Sequence, residues 1–320
     1  MPKENKRVKE KNLKIDNKDR SVNFYTISDD GDYMTVDVEE SWRINARFRE
    51  HDDLKYQQWF NGSDSLKETV SNGFIDFSHK IFVSNLYKVL GDPREKTCLE
   101  IGFGGGRLVN AASKYFNMCY GLDILDETSI EKTKKFLQDN ECHNHKLLHR
   151  NQSDLVQDET IDFIYSFIVF QHFKGWNEVK KYISLFKRVM KKGAIAKIYF
   201  KAFPTIVPLT SIPPNTQKIL KDAGAWCTKI HGPHGFVYIS FDDAEGPNFF
   251  VLGENVFTNA KFTGGPMPGI GSFSSLYVKP EFVLEQIKKD FKILEKPTFS
   301  TKNPWSETPS SQFYITFIKE

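Results

Sequence analysis

Short apolar runs alternate with longer amphipathic patterns through the middle of the chain. Five apolar runs predict strands, and three of them are followed by apolar residues at helical spacing. The predicted strands cover 97–101, 118–122, 146–149, 163–167 and 194–200, and the predicted helices cover 107–116, 131–139 and 176–190. Strands that alternate with helices over short connections are typical of a doubly wound α/β fold with a mainly parallel sheet. A helix at 280–290 and strands at 291–295 and 312–320 bring the predicted sheet to seven strands.

The segment before this core has a different pattern. Two β-rich runs around Asp30 and Gly31 predict a hairpin within 23–38. Helical patterns follow at about 39–60 and 73–90. We expect these elements to form a cover on the core.

After residue 200 the alternation of strands and helices stops. Residues 203–278 hold many prolines and glycines together with short aromatic runs. We therefore predict a hairpin and helical cover at 21–94, a core domain at 95–320, and a β-rich inserted cap at 203–278.

Charge is concentrated at the N-terminal end. The chain of 320 residues has a net charge of +3, but residues 1–20 contain eight basic and four acidic side chains and carry +4. The remainder is nearly neutral, which gives no electrostatic signal for nucleic-acid binding. We expect 1–20 to be a disordered basic tail, with contact to RNA or to a membrane surface as the alternative.

The apolar runs are too short for a membrane span, which needs about 18 residues. The longest run, Ile161–Phe170, is interrupted by Asp162 and Ser166, and the charged first residues do not form a secretory signal. The four cysteines are scattered, with Cys98 and Cys119 inside predicted strands. Free thiols suit a reducing compartment, so we expect a cytoplasmic protein without membrane contact.

The stretch LEIGFGGG, at 99–106, places an acid and four glycines directly behind a strand. A glycine-rich turn before a helix lets backbone N–H groups approach a ligand closely. The dinucleotide spacing G-x-G-x-x-G is not met, because Arg107 stands at its third glycine position. Instead, Glu100 is followed by glycine at every second position, beginning with Gly102 and Gly104.

A second acid, Asp123, ends the next predicted strand. An ionised carboxylate there can accept both hydroxyls of a ribose. The carboxylate of Glu100 would repel a pyrophosphate but suits a cationic amino-acid group. Two acids at adjacent strand ends around a glycine turn therefore indicate a nucleoside without phosphates, namely S-adenosylmethionine.

Four blocks in order resemble the class I S-adenosylmethionine-dependent methyltransferases. LEIGFGGG resembles the family's first motif, and GLDI at 121–124 resembles its ribose-binding strand end. IDFIYSFIVFQHF at 161–173 resembles the fourth strand with its following segment, and VMKKGAIAKIYF at 189–200 the turn and fifth strand. With the closing helix and strands of 280–320, the resemblance covers about half the chain and implies a Rossmann-like methyltransferase fold.

The resemblance implies a binding site for S-adenosylmethionine as the methyl donor. Glu100 and the backbone at Gly102 and Gly104 would meet the methionyl amine and the sugar. Asp123 would hold the ribose hydroxyls, and Ile124 would pack on the adenine.

The adenine contact departs from the family pattern. The family usually has an acidic residue near the adenine amino group after the third strand. Here the candidates are Asn151 and Gln152, with Asp154 slightly further on.

Two residues of the fourth block are candidates on the acceptor side. The resemblance implies that Phe167 lies beneath the donor. His172 follows a strand end that faces the donor, where a general base would assist a hydroxyl acceptor. The alternative is a histidine that only satisfies backbone groups.

Two clusters have residue types that bind metals, but we predict no metal site. The first spans a helix-to-strand connection away from the strand ends and predicts a surface loop; it contains Cys142, His145 and His149. The second predicts a polar turn in the insertion, with a metal or proton-relay site as the alternative; it contains His231, His234, Asp242 and Asp243.

The acceptor class is narrowed by what the chain lacks. The fourth strand reads SFIVF, without the Asn/Asp-Pro-Pro-aromatic sequence associated with methylation of amino groups on nucleic-acid bases. In the family, an insertion before the closing helix lies over the acceptor pocket. The main hypothesis is methyl transfer to a hydroxyl or amine of a small molecule or glycan. The alternatives are a protein or RNA methyltransferase and a non-catalytic nucleoside-binding scaffold, and the oligomeric state is left open.

Overall fold

The computed structural model describes residues 25–27, 33–36, 38–173, 175–202, 237–242, 246–252, 256–262, 276–301 and 309–320. Within these ranges the chain forms two β-sheets and eight α-helices. The predicted tail at 1–20 lies outside the described residues. So do most of the insertion and His231, His234 and Asp243 of the predicted polar turn.

The elements are numbered in chain order. The strands are β1 (Tyr25–Ile27), β2 (Tyr33–Val36), β3 (Thr97–Ile101), β4 (Met118–Asp123), β5 (His145–His149), β6 (Ile161–Ser166), β7 (Met190–Lys201), β8 (Val237–Asp242), β9 (Gly246–Leu252), β10 (Val256–Phe262), β11 (Leu276–Val278), β12 (Lys292–Thr301) and β13 (Pro309–Ile318). The helices are α1 (Val38–Arg49), α2 (Asp53–Asn61), α3 (Leu66–Asp76), α4 (Ser84–Leu90), α5 (Arg107–Ala112), α6 (Glu127–Asp139), α7 (Trp176–Val189) and α8 (Pro280–Ile287).

The larger sheet has seven strands in the order β12-β13-β7-β6-β3-β4-β5. Its strands from β7 to β5 are parallel, whereas β13 is antiparallel to both of its neighbours. The predicted doubly wound, mainly parallel seven-stranded sheet is therefore confirmed. Glu100 of β3 is in register with Gly121 of β4, so the two acidic strand ends meet at the carboxyl edge.

Helices cover both faces of this sheet, which is why its central strands are almost wholly apolar. One face packs against α7 and α8, and the other packs against the N-terminal helices, α5 and α6. Phenylalanines fill much of the second face, where the ring of Phe163 stacks on Phe116 at 5.8 Å and contacts Phe82 at 5.6 Å. Of the 28 phenylalanines of the chain, 14 are buried core residues within the described ranges.

The predicted helical pattern at 39–60 is divided into two helices. The break falls at Asp52, whose side chain accepts a hydrogen bond from the backbone N–H of Lys55 at 3.0 Å and caps α2. Helix α2 then lies against α6. The buried Tyr56 hydroxyl donates to the carbonyl of Ser129 at 2.8 Å and lies 3.0 Å from the hydroxyl of Thr133.

The predicted helix at 73–90 has the wrong bounds. Helix α3 begins seven residues earlier, at Leu66, after Ser65, whose side chain accepts from the backbone N–H of Glu68. A turn of π-helix at Phe77–Ile81 then separates α3 from α4. The single apolar stripe of the sequence conceals this break because the π turn keeps Phe77 and Ile81 buried.

Between the predicted helix at 176–190 and the predicted strand at 194–200, the sequence KKG at 191–193 predicts a turn. This prediction is wrong, because β7 already begins at Met190. The pairing of β6 with β7 shifts register after Ile161, and Gly193 has φ +81°. This irregularity accommodates the glycine within an extended strand. The backbone N–H of Gly193 donates to the carbonyl of Lys319 at 2.7 Å.

The second sheet joins the N-terminal hairpin to the insertion. Strands β1 and β2 pair antiparallel, as the hairpin prediction requires, although the turn at 28–32 lies outside the described residues. The sheet order is β1-β2-β10-β9-β8, with β11 also paired to β10. Thr35 is in register with Ala260, so the predicted cover and cap share one sheet. Val278 returns the chain to the core through a bridge to Ala202 at the end of β7.

In the part of the chain that the structure describes, no helix combines the length and apolar character that a membrane crossing requires.

Replacing Tyr56 with Phe should destabilise the protein by about 1–3 kcal/mol, because it leaves buried polar partners on α6 without their hydrogen bond. Urea unfolding of the wild type and the variant measures the difference. The matched control is Tyr87→Phe on α4, where the side chain is 48% exposed. Equal stability of Tyr56→Phe and the wild type would contradict the docking of α2 on α6.

Candidate functional site

A cavity of about 150 Å³ opens at the carboxyl edge of the seven-stranded sheet. Its floor is formed by the ends of β3, β4 and β6 with the loops that follow them, and its roof by α1 and α2. Ligand sites of open α/β sheets lie at this edge. The cavity is lined by seven residues that the sequence predicted, namely Glu100, Gly102, Gly104, Asp123, Ile124, Phe167 and His172.

The glycine turn after β3 is shaped by both its backbone and its neighbours. Gly102 has φ +77° and Gly104 has φ +49°, a region that side chains with a Cβ rarely adopt. A Cβ at Gly102 would overlap the side chain of Val169, and one at Gly104 would press into the ring of Phe60 on α2. The glycines therefore serve close packing of the roof as well as backbone access to the cavity.

Asp123 ties the glycine turn to the end of β4. One carboxylate oxygen accepts from the backbone N–H of Gly104 at 2.8 Å, and the other accepts from Ile124 at 2.7 Å and Leu125 at 3.3 Å. Burial raises the pKa of Asp123 to about 6, although these hydrogen bonds oppose the rise. A carboxylate has about four lone-pair sites, so Asp123 retains capacity for a ligand hydroxyl.

Glu100 lies deeper in the same cavity. It is 2% exposed and accepts a hydrogen bond from the Tyr165 hydroxyl at 3.1 Å. Burial raises the pKa of Glu100 to about 8, while the positive charge of Arg107 partly opposes this effect. Burial therefore favours the protonated form of Glu100 over the ionised form.

The charges of the lining favour a cationic ligand. Four carboxyl groups face the cavity with two guanidinium groups, those of Arg107 and Arg150. Both guanidinium groups are engaged, because Arg107 donates to Asp76 at 2.6 Å and Arg150 is bonded to two glutamates. A cation that reaches Glu100 would stabilise its ionised form. The residues present thus fit a sulfonium or ammonium group beside a ribose.

Asn151 and Gln152 lie outside the cavity lining, and both side chains are exposed. They belong to a 3-10 turn at Arg150–Leu155, in which Gln152 Oε1 accepts from the backbone N–H of His149 at 3.2 Å. Asp154 is exposed as well. Of the residues in this 3-10 turn, Arg150 lines the cavity.

The roof contributes residues that the sequence did not predict. Trp42 of α1 and Phe60 of α2 line the cavity, with their rings stacked at 6.0 Å. Glu39, in the first turn of α1, lines it as well. Their helical patterns predicted a cover, but no local signal in 39–60 indicated which residues of that cover face the strand ends.

The loop that follows β6 contributes Phe167 to the cavity floor. The ring of Phe167 is 7% exposed and meets Tyr199 edge to face at 5.0 Å. The next residue, Ile168, has φ +61°, which is unusual for a β-branched residue and marks local backbone strain at the cavity.

His172 reaches the cavity from the short 3-10 turn Phe170–His172. Its ring meets Trp42 edge to face at 5.0 Å, and its Nε2 lies 3.3 Å from Nε2 of Gln171. The structure thus brings this candidate base to the same cavity as the two acids.

The first cluster of potential metal ligands, at Cys142, His145 and His149, lies outside the cavity lining. Nδ1 of His145 lies 3.0 Å from the Cys142 carbonyl, and Nδ1 of His149 accepts from the backbone N–H of Asn151 at 3.2 Å. Within the described ranges no group of three or more potential metal-ligating side chains is assembled. Cys98, Cys119 and Cys142 are buried free thiols.

Part of the chain matches a known protein family, and several solved structures are similar to it. Residues 99–198 match the family model described as "Methyltransferase domain". No curated protein matches the chain. Similar solved structures include a S-adenosylmethionine-dependent methyltransferase from Clostridium acetobutylicum ATCC 824, with 12% identity over 82% of this chain and 96% of that one and a TM-score of 0.46. They also include the N-methyltransferase NodS from Bradyrhizobium japonicum WM9, with 8% identity over 87% and 98% and a TM-score of 0.45.

Replacing Glu100 with Gln should stabilise the ligand-free protein at alkaline pH. The folded-state pKa of Glu100, about 8, lies above its usual 4.5, so the wild type loses stability relative to the variant as pH rises between these values. We expect the difference in Tm to be small near pH 5, to grow up to pH 8 and to level off above it.

Thermal unfolding across this pH range measures the effect. The control is Glu95→Gln, at an exposed carboxyl group before β3. We expect the difference in Tm between this variant and the wild type not to grow from pH 5 to pH 8. A Tm difference for Glu100→Gln that is constant with pH would show that Glu100 is ionised in the folded protein.

Proposed function

We propose that the chain is a class I S-adenosylmethionine-dependent methyltransferase that methylates a hydroxyl or amine of a small molecule or sugar. The match of residues 99–198 to the methyltransferase family model supports this proposal. The methyl donor of this family is S-adenosylmethionine. The observation that carries the proposal is the roofed cavity at the carboxyl edge, where two buried acids lie under Trp42 and Phe60. A roof of this kind favours an acceptor small enough to enter beside the donor.

Each acid has a separate proposed role toward the donor. Glu100 binds the methionyl amine. The ammonium group supplies the cationic partner that the buried carboxylate of Glu100 otherwise lacks. Asp123 accepts the ribose hydroxyls while it holds the turn at Gly104 in place. Backbone groups of Gly102 and Gly104 border the same space.

Two further residues complete the proposed donor site. Ile124, next to Asp123 on the cavity wall, packs on the adenine. Phe167 lies beneath the sulfur end, with its ring fixed by Tyr199. Asn151 and Gln152 stay predictions for the adenine amino group, to which their exposed position lends no support.

The donor supplies a methyl group on a positively charged sulfur, and the bond from sulfur to carbon breaks as the bond to the acceptor forms. The protein's contribution is to align the acceptor with the methyl group and to exclude water, an effect that can lower a barrier by roughly 7–11 kcal/mol in favourable cases. We propose that His172 takes the proton of a hydroxyl acceptor. An amine acceptor would need only to arrive uncharged.

A transfer assay with tritium in the methyl group tests the acceptor class. Purified protein is incubated with labelled donor and separate pools of small metabolites, glycans, peptides and RNA. Label in small molecules or glycans supports the proposal, whereas label only in peptides or RNA would replace it with macromolecular methylation. Donor binding without transfer to any pool would favour the alternative of a non-catalytic nucleoside-binding scaffold.

Replacing Asp123 with Asn should weaken donor binding by about 1.5–3 kcal/mol, the range for a hydrogen bond to a charged group. The variant keeps an acceptor oxygen for the backbone of the glycine turn. Calorimetric titration with S-adenosylmethionine measures the loss, and Glu131→Gln on the exposed side of α6 serves as the control. Unchanged affinity in the folded variant would remove Asp123 from the donor site.

A further inference from the structure

Three charged side chains form a continuous bridge at one end of the donor cavity. Arg150 Nη2 donates to Glu39 Oε2 at 2.6 Å, and Arg150 Nη1 donates to Glu178 Oε1 at 2.8 Å. All three line the cavity, and their side chains are between 21% and 34% exposed. A guanidinium group that bonds two carboxylates at once is held in a defined orientation.

The bridge joins three elements that are distant in the sequence. Glu39 lies in the first turn of α1, Arg150 follows β5 directly, and Glu178 lies in the first turn of α7. The pair between Arg150 and Glu39 spans 111 positions of the chain. The bridge therefore connects the roof to the floor at the end of the cavity that Asp123 borders.

The same helix carries Trp42 into the cavity. Trp42 is one turn beyond Glu39 on α1, and it contacts both Phe60 and His172. A ligand that lies beneath Trp42 is enclosed for as long as α1 stays in this position. The pair between Glu39 and Arg150 is an ionic connection of α1 to another residue of the cavity lining.

We propose that Arg150 is a positioning residue that fastens α1 over the bound donor, so that the Glu39–Arg150 pair controls how fast the donor and its demethylated product leave. The inference rests on the assignment of the donor and not on the identity of the acceptor. Because its guanidinium is occupied by Glu39 and Glu178, Arg150 acts through α1 and does not serve as an anion ligand. This matches a nucleoside that carries no phosphate.

Stopped-flow dissociation of S-adenosylhomocysteine tests the proposal on the full chain. The preformed complex is diluted rapidly into buffer, so that little product rebinds, and the signal is the tryptophan fluorescence to which Trp42 contributes. Glu39→Gln should accelerate release by about threefold to tenfold, as expected for loss of a half-buried ion pair, with little change in the association rate. The variant should fold, since Arg47 still bonds Asp126 at 3.0 Å and keeps α1 on α6.

Two further variants separate this role from a general structural one. Glu178→Gln also removes one partner of Arg150 but leaves the contact with α1, so release should accelerate less than in Glu39→Gln. Glu131→Gln breaks an exposed ion pair on α6 with Lys134 and should match the wild type. Equal acceleration in Glu39→Gln and Glu178→Gln would overturn the proposal.

Salt provides a test that needs no variant. S-adenosylhomocysteine carries one ammonium and one carboxylate and has no net charge, so its own binding should depend weakly on ionic strength. Screening of the bridge should speed release from the wild type at high salt, and this dependence should be reduced in Glu39→Gln. Release that is independent of both salt and Glu39 would overturn the proposal. Failure of the wild type to bind the product would instead contradict the donor assignment, and a negative acceptor assay would leave this test unaffected.

Discussion

The carboxylate of Asp123 is the point on which the arrangement of the cavity depends. It accepts backbone hydrogen bonds from the turn after β3 and from the two residues that follow β4. Two loops that belong to different strands are thereby held in one shape. The roof is built on that shape, because Gln57 of α2 donates to the carbonyl of Gly105 at 2.8 Å and Phe60 packs on Gly104. One side chain thus organises both the floor of the site and the seat of the helices above it.

The buried acids connect this architecture to chemistry. A carboxyl group that is removed from water is costly to ionise unless a cation or hydrogen-bond donors are supplied. Asp123 receives three backbone donors, whereas within the described part of the chain Glu100 receives the hydroxyl of Tyr165 alone. The difference is reflected in the higher pKa of Glu100, at about 8 against about 6 for Asp123. The incomplete satisfaction of Glu100 makes a cationic partner favourable at that position.

The sequence predicted the floor of the site well and the roof poorly. Glu100 and Asp123 could be placed because each ends an apolar run, and neighbouring parallel strands end at the same edge. The prediction for the residues after β5 was less secure. The strand ends at His149, and the 3-10 turn directs the side chain of Arg150 inward and those of Asn151 and Gln152 outward. Glu39 and Trp42 could not be placed, because their orientation depends on how α1 docks, which no local pattern encodes.

The helix boundaries show the same limit on a smaller scale. Capping residues at Asp52 and Ser65 were local signals that could have divided the N-terminal helices correctly. The π turn at Phe77–Ile81 and the irregular start of β7 arise from packing and register, and their sequences resemble ordinary helix and turn.

The pairing of β2 with β10 also bears on how the protein is made. Thr35 and Ala260 are in register although 225 positions separate them along the chain. At a synthesis rate of ~5–20 residues per second, the N-terminal hairpin leaves the ribosome roughly 10–50 s before its partner strand exists. During that interval the outer edge of β2 has no strand to bond, and closing so long a loop adds an entropic cost to the final step. The second sheet is therefore completed late in biogenesis, after the strands from β3 to β7 have already been synthesised.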